Sequence, residues 1–331
     1  MRKYLLSTSA LAGAALLSSV AVADVSISGF MEWEMVNGDT DSSDFDGTSM
    51  TINNEVNIDF TNKTDSGLTV TFNTDLDTDG GGVDDNSMSI SGGFGKIVVG
   101  ETDGAEDAYA FHGGSLQAEE HNMPHHATDA TKAVDLQNDI MKASGAQLTG
   151  NGNKISYHLP AMGGLTAGAS FQDSGASTST DLTEFGANYS MEASGAAITL
   201  GYTSATQEGA TKDSDATTLG VKVVMGAMTV IANQATVDTA TDDETGNSFG
   251  ISYTLPSGIT LSASTMTAED DGITDLGEEY SVNHYEMVYP VASGLSVLLN
   301  VSDYDYKTGA GNTEKTADSG TFSSVMLKAT F

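Results

Sequence analysis

Acidic side chains and histidines are concentrated between residues 101 and 150, where their types could bind metals or respond to pH. The acids are Glu101, Asp103, Glu106, Asp107, Glu119, Glu120, Asp129, Asp135 and Asp139, and the histidines are His112, His121, His125 and His126. Imidazole is a transition-metal ligand and changes charge near neutral pH. No HExxH-like spacing is present, so ordinary polar packing is the favoured interpretation of the histidines.

The segment from Asp75 to Gly80 matches the first half of an EF-hand calcium loop. Position 12 of such a loop should be Glu, but Asn86 stands there, and no helical pattern flanks the segment. An EF-hand is therefore excluded. Weak Ca²⁺ or Mg²⁺ binding by Asp75, Asp77 and Asp79 remains a hypothesis, motivated by the density of negative charge, and no cofactor is required.

The residues Gly246 to Gly250 match the GxSxG pattern of a hydrolase nucleophile elbow. That motif needs a strand before it and a helix after it. Here an acidic segment precedes it and a strand-like segment follows it, which makes the match a coincidence. No phosphate-binding GxxxxGK[ST] pattern occurs either, so the sequence does not predict an enzyme.

The charge balance excludes nucleic acid as a partner. The 331 residues include 46 Asp and Glu against 12 Lys and Arg, for a formal charge of −34. Binding to a phosphate backbone requires a basic surface. There is no Cys, so a secreted form could not rely on disulfides.

Residues 1–23 have the pattern of a secretory signal peptide. Arg2 and Lys3 precede an apolar stretch, and Ala21-Val22-Ala23 supplies small residues for cleavage before Asp24. We expect residues 24–331 to form the exported domain. Taking Arg2 and Lys3 from the 12 basic residues leaves 10, all of them Lys.

The elements that must position these side chains are short strands. No apolar run after residue 23 approaches the ~20 residues of a transmembrane helix. Gly is frequent, with 37 residues, and Pro is rare, with 4. Turn-like glycines recur at hairpin-length intervals. They are Gly67, Gly95, Gly164, Gly195, Gly226, Gly258 and Gly294.

Apolar and polar residues alternate between these turns, as in Val56, Ile58 and Phe60 against Glu55 and Asp59. The pattern predicts 16 strands, at 25–36, 50–62, 67–77, 86–92, 95–101, 152–160, 164–173, 182–192, 196–206, 215–225, 227–237, 246–255, 258–268, 279–290, 294–306 and 319–331. An even number of strands with alternating short turns and long loops is typical of a transmembrane barrel. A soluble β-sandwich is disfavoured because a polar face repeats on every strand.

Three short motifs, taken in order, connect the chain to a known family. Gly29-Phe30 lies in the first strand, the run from Phe94 to Gly100 precedes the long loop, and the last strand ends at Phe331. Together they resemble the general bacterial porins of alphaproteobacterial type. The resemblance implies an all-β, 16-stranded antiparallel transmembrane barrel in the outer membrane, with a constriction loop at about 101–150 folded into its lumen. It also implies passive diffusion of small hydrophilic solutes, a homotrimer, and contact with outer-membrane lipid and lipopolysaccharide.

In that family, acids of the infolded loop typically face a basic cluster on the barrel wall. The loop acids predicted to line the constriction are Asp103, Glu106, Asp107, Glu119 and Glu120. The expected wall cations are Lys96, Lys154, Lys222 and Lys328, which share the polar face with acids that include Glu55 and Asp59. With no Arg after residue 23, the basic cluster is weak. We therefore predict an acid-dominated lumen that prefers cations.

Two alternatives to a general diffusion channel remain open. A substrate-specific channel would be favoured by a ladder of inward-facing aromatic residues, but only scattered candidates such as Phe30 are evident. A secreted acidic β-protein that binds calcium would be soluble, so membrane fractionation separates it from both channels.

Overall fold

The computed structural model describes residues 24–41, 47–77, 82–116, 148, 152–173, 181–209, 211–241, 243–270, 277–307 and 318–331. These residues form a closed antiparallel barrel in which every strand pairs with its neighbours in sequence and β1 pairs with β16. The strands are β1 (Asp24–Thr40), β2 (Gly47–Lys63), β3 (Thr69–Asp77), β4 (Gly82–Gly92), β5 (Gly95–Thr102), β6 (Gly152–His158), β7 (Leu165–Gln172), β8 (Leu182–Ala193), β9 (Ala196–Gln207), β10 (Ser214–Met225), β11 (Met228–Asp238), β12 (Asp243–Thr254), β13 (Thr260–Asp270), β14 (Glu278–Ala292), β15 (Leu295–Lys307) and β16 (Asp318–Thr330). The predicted 16-stranded barrel is confirmed. The predicted signal peptide lies outside the described residues.

Alternation of side chains sorts each strand into an outer apolar face and an inner polar face. Ile155, Leu219 and Tyr285 point outwards and are 53%, 55% and 55% exposed, whereas Lys154 and Glu184 point inwards and are buried. Outward apolar residues recur on all sides of the barrel. An apolar surface this extensive needs lipid around it rather than water.

Short turns occupy one end of the barrel and long connections the other, and we call these the short-turn end and the long-loop end. The β8–β9 turn consists of Ser194 and Gly195, which have φ angles of 51° and 80°. Two successive positive φ angles form a tight turn whose twist matches that of the antiparallel strands. Glycine adopts such angles readily, which is why it recurs in the turns of the short-turn end.

The first and last strands close the barrel. The Gly29 N–H donates to the Phe331 carbonyl at 3.2 Å, and the Phe331 N–H donates to the Gly29 carbonyl at 3.1 Å. At the long-loop end, the β1–β2 ladder continues to the Gly38–Gly47 pair, beyond the predicted limits of 36 and 50. Outside an apolar band, polar side chains such as Asn37 and Thr48 are compatible with continued pairing, and their side chains hydrogen-bond at 3.1 Å.

Two short helical segments follow β5 and fold into the barrel. Helix α1 spans Ala105–Tyr109, and the 3₁₀ helix η1 spans Gly113–Leu116. Helix α1 packs against β7, β8 and β9, and η1 packs against β11, β12 and β13. Among the described residues, no helix is both long enough and apolar enough to cross a membrane.

Candidate functional site

The inner faces of β1 to β4 form a continuous group of carboxylates, which we call the acidic wall. The cross-strand register places Glu32 opposite Asn53, and Glu55 opposite Asp77, on the same inward-facing side. The members of the acidic wall are Glu32, Glu34, Glu55, Asp59, Asp75, Asp77 and Asp85. Closely spaced like charges in a channel raise the local concentration of counterions.

Neutral donors hold part of the acidic wall together. The Asn73 side-chain amide donates to Asp59 at 3.2 Å and to Asp75 at 3.1 Å, and the Ser26 hydroxyl donates to Asp59 at 3.4 Å. These hydrogen bonds orient the carboxylates without adding positive charge. The wall therefore keeps a negative character at this position.

Lys328 of β16 forms an ion pair with a carboxylate of the acidic wall. Its Nζ lies 2.5 Å from Glu32 Oε1, and its side chain is 26% exposed. The same Nζ lies 5.3 Å from the centre of the Phe30 ring, within the range of a cation–π contact. Asn53 also donates to Glu32, at 3.4 Å. One wall carboxylate is thus compensated by an ion pair.

The opposite inner face, formed by β7 to β13, carries the infolded segment, and we call it the loop wall. The Ala105 N–H donates to the Ser170 hydroxyl at 2.8 Å, and the Gly113 N–H donates to the Ser248 hydroxyl at 2.6 Å. The Tyr109 hydroxyl and His158 Nδ1 of the neighbouring β6 are hydrogen-bonded at 3.0 Å. Polar anchors therefore fix both helical segments of the loop.

Ser248 belongs to the GxSxG match, and its surroundings exclude a nucleophile elbow. It lies within β12, a continuous strand, and its hydroxyl donates to Asn233 while accepting the Gly113 N–H. A strand-turn-helix is absent at this position. Ser248 anchors the loop.

A buried ion pair lies beneath α1. Lys154 Nζ is 3.2 Å from Glu184 Oε1, and the two side chains are 1% and 3% exposed. The Ser170 hydroxyl donates to the other carboxylate oxygen of Glu184 while it accepts the Ala105 N–H. The loop backbone is therefore tied to the ion pair through Ser170. Lys154 points inwards, but it is covered and does not present its charge to water in the lumen.

Glu106 lies beside this ion pair and is only 2% exposed. Burial, followed by the negative charges of Glu184 and Asp107, raises its pKa from 4.5 to about 8, although Lys154 and the Leu148 backbone partly oppose the shift. The carboxyl is therefore protonated at neutral pH. The sequence predicted that Glu106 would contribute charge to the constriction, but a buried neutral carboxyl does not, because desolvation disfavours its ionised form.

The remaining predicted residues occupy several places. Asp103 and Asp107 are exposed at the start of the loop, whereas Glu119, Glu120 and Asp79 lie outside the described residues. Lys96 points inwards near the short-turn end, opposite His158, and Lys222 points inwards from β10, opposite Thr199. Lys63, which the sequence analysis overlooked, shares the inward parity of Asp59 at the end of β2.

The described part of the chain shows where two of the predicted metal ligands lie. It contains no group of three or more His, Cys, Asp or Glu side chains that could hold a metal ion. Asp75 and Asp77 lie in β3 rather than in a loop. Binding of Ca²⁺ or Mg²⁺ through Asp75, Asp77 and Asp79 stays a prediction. His121, His125 and His126, for which polar packing was the favoured interpretation, lie outside the described residues.

An inward-facing aromatic cluster at the long-loop end was missed by the sequence analysis. Tyr280 and Tyr304 stack with ring centres 6.5 Å apart, and Tyr304 and Phe322 stack at 5.5 Å. These rings pack with Val36 and Met266, and each ring is 5% exposed or less. The alternation of the sequence could have predicted this cluster, because Tyr280 and Tyr304 have the opposite parity to the outward-facing Tyr285 and Val301.

A closed antiparallel barrel with an apolar exterior, a polar lumen and an infolded loop defines a pore-forming integral protein of the bacterial outer membrane. Among solved structures, the chain is similar to an anion-selective porin from Comamonas acidovorans (15% identity, covering 93% of this chain and 100% of that chain, TM-score 0.64). It is also similar to the trimer form of the outer-membrane protein OmpT of Vibrio cholerae (14% identity, 94% and 100% covered, TM-score 0.65) and to a mutant porin of Rh. blastica (17% identity, 93% and 100% covered, TM-score 0.64).

The family model of Gram-negative porins matches residues 7–322. This chain belongs to the Gram-negative porin family, and it is a diffusion channel of the outer membrane rather than an enzyme. No curated protein sequence matches it significantly.

Proposed function

We propose that this porin is a general diffusion channel for small hydrophilic solutes that prefers cations. The observation that carries the proposal is the acidic wall, where seven inward carboxylates lie on four adjacent strands. The inward lysines of the described strands are fewer and dispersed. They are Lys63, Lys96, Lys154, Lys222 and Lys328. Of these, Lys154 is neutralised by Glu184 and Lys328 by Glu32.

The fold alone does not set the sign of selectivity. The Comamonas porin shares the architecture and is described as anion-selective. The side chains of the inner walls must therefore decide which ion passes more easily. In this chain those side chains are predominantly acidic, which attracts cations and repels anions along the acidic wall.

The aromatic cluster favours general diffusion over a substrate-specific channel. A ladder of rings that guides a solute must be accessible from the lumen, but Tyr280, Tyr304 and Phe322 are 3%, 3% and 5% exposed. These rings serve packing at the long-loop end. Solute selection then follows size and charge.

The reversal potential of the purified protein in a planar bilayer under a KCl gradient tests the proposal. We expect the sign of a cation-preferring channel, with a preference that weakens as the mean salt concentration rises, because the screening length falls from ~10 Å at 0.1 M to ~3 Å at 1 M. A potential of anion-preferring sign would reject the electrostatic part of the proposal. Saturable uptake of one neutral sugar into proteoliposomes would favour the substrate-specific alternative.

We also propose that the protein assembles as a homotrimer in outer-membrane lipid. One structural neighbour is described as a trimer form, and the shared barrel supports the same assembly here. Cross-linking of the protein in membranes should give a product of three chains. Recovery of single chains only, although the outer face carries sites that can be cross-linked, would contradict the trimer. Contact with lipopolysaccharide stays a prediction.

A further inference from the structure

The loop segment from Gly104 to Leu116 follows the inner surface of the barrel instead of crossing its lumen directly. Helix α1 lies on β7, β8 and β9, and η1 lies on β11, β12 and β13. Between them, the Phe111 ring contacts β9 and β10. The segment therefore spans much of the loop wall in about a dozen residues, at close range throughout.

Glycines lie beneath this path at inward-facing positions of the loop wall. The register pairs Gly168 with Gly186 and Gly201 with Gly220 across neighbouring strands, and Gly250 follows on β12. Each of the five contacts a group that a side chain would displace: Tyr109 at Gly168 and Gly186, Phe111 at Gly201 and Gly220, and the Gly113 backbone at Gly250.

The backbone conformation does not explain these glycines. Glycines with a positive φ angle, such as Gly195 and Gly226, lie mainly in turns. None of the five glycines beneath the loop has a positive φ angle. Alanine could therefore adopt their backbone angles without strain. What alanine could not do is share the space that the loop occupies.

Phe111 gives the clearest measure of this space. A methyl group at Gly220 would lie 2.6 Å from Cε2 of the ring, and one at Gly201 would lie 2.6 Å from Cε1. Carbon atoms in contact are ~3.5–4.0 Å apart, so the ring would have to withdraw by about 1 Å. The wall lies on one side of the ring, so the ring can withdraw only towards the lumen.

We propose that the glycines of the loop wall set the width of the pore, because they allow the loop to lie flat against the barrel, and that the Phe111 ring on Gly201 and Gly220 fixes its position. These are positioning residues, since they act on the passing solute through the loop. The proposal rests on the channel function but not on its charge preference. A protein with the wrong sign of reversal potential could still confirm it.

Single-channel conductance and the size limit for neutral sugars test the proposal in four variants of the full-length protein. Gly220→Ala should lower the conductance by roughly a fifth or more and reduce the largest sugar that passes, because a narrower lumen admits less. Phe111→Ala combined with Gly220→Ala should return both quantities to those of Phe111→Ala alone, because the added methyl group then meets no ring. The matched control is Gly82→Ala, a strand glycine whose added Cβ meets nothing within 4 Å, and it should conduct like the wild type.

The outcomes separate cleanly. An unchanged conductance in folded Gly220→Ala would overturn the proposal, as would an equal loss in the double variant, since the effect would then not pass through the ring. If Gly220→Ala fails to fold and the double variant folds, the ring contact is confirmed. If both fail while Phe111→Ala folds, the glycine serves the barrel itself and the proposal is wrong.

Discussion

The acidic wall and the loop wall are made of strands with the same alternation, yet their inward residues differ in size and charge. On the acidic wall, carboxylates such as Glu55 and Asp59 face the lumen. On the loop wall, the corresponding positions hold residues such as Gly186 and Gly201, and the loop covers them. Small residues let a second layer of backbone approach, whereas unpaired carboxylates are stable only where water reaches them. The inward-facing residues of a strand thus indicate whether that strand borders the open lumen or supports the loop.

The largest expected difference between the walls comes from removing the lysine that pairs with one carboxylate of each wall, Glu184 on the loop wall and Glu32 on the acidic wall. Lys154→Gln leaves Glu184 buried beside a loop without its ion-pair partner, and loss of one partner of a buried pair costs ~3–5 kcal/mol. We expect a large fall in the urea concentration at which the barrel unfolds. Lys328→Gln, at the partly exposed pair on the acidic wall, should cost about 1 kcal/mol or less.

The double variant Lys154→Gln with Glu184→Gln controls the first experiment. Removing both charges should recover much of the lost stability, because no isolated charge then stays buried. If Lys154→Gln and Lys328→Gln lowered the free energy of unfolding by equal amounts, the ion pairs of the two walls would not differ in burial.

Neutralising the acidic wall should reduce cation preference without disturbing the loop. The fourfold variant Glu55→Gln, Asp59→Asn, Asp75→Asn, Asp77→Asn should lower the cation-to-anion permeability ratio by about threefold or more at low salt. The reversal potential under a KCl gradient measures this ratio. A ratio that stays at the wild-type value would locate the selectivity elsewhere in the channel.

An equal charge change on the outer face provides the control. Asp243, Glu269, Asp303 and Asp305 have the outward parity of their strands at the long-loop end. Their neutralisation changes the net charge by the same amount outside the lumen. The permeability ratio should therefore change much less.

The pH dependence of loop anchoring should be the smallest effect. In the docked loop the pKa of Glu106 is about 8 instead of 4.5, so docking favours the protonated carboxyl. The docked state is then most stable below pH 4.5, loses stability as the pH rises from about 4.5 to about 8, and changes little above that. We expect roughly twofold more current noise from loop motion at pH 8.5 than at pH 5.

Glu106→Gln should remove this pH response, because the amide carries no ionisable proton. Asp107→Asn, an exposed neighbour on the same helix whose charge is a lesser cause of the raised pKa of Glu106, should retain most of it. If the wild type and Glu106→Gln show the same change in noise with pH, the titrating group is not Glu106.

The sequence was sufficient for the barrel and insufficient for its interior. Alternation is a local property, so residues such as Ile155 and Lys154 could be assigned to opposite faces of a strand. Burial inside the lumen depends on where a distant loop docks, and no local pattern reports that. Lys154 was therefore expected to face the pore and Glu106 to line the constriction. The burial of Lys154 beneath α1, and of Glu106 within α1, becomes evident only in three dimensions.

Glycine shows the same limit. Turn glycines such as Gly195 could be recognised from their spacing, because a hairpin repeats them. Gly201 and Gly220 lie inside strands, where glycine weakens the strand and commonly marks a close approach of another backbone. The sequence carried that signal, but it could not identify Phe111 as the neighbour.

Closure of the barrel between β1 and β16 also determines when folding can be completed. The Ser319 hydroxyl donates to Asp41 across 278 residues of chain. Bringing together two ends that are so far apart in sequence costs about 5 kcal/mol in loop-closure entropy alone. Until the last strand arrives, β1 and β15 each present an unpaired edge, which is unfavourable in lipid and prone to wrong pairing in water. Pairing of the thirteen-residue strand β16 with both β1 and β15 removes the two edges at once, so it is the step that completes the barrel.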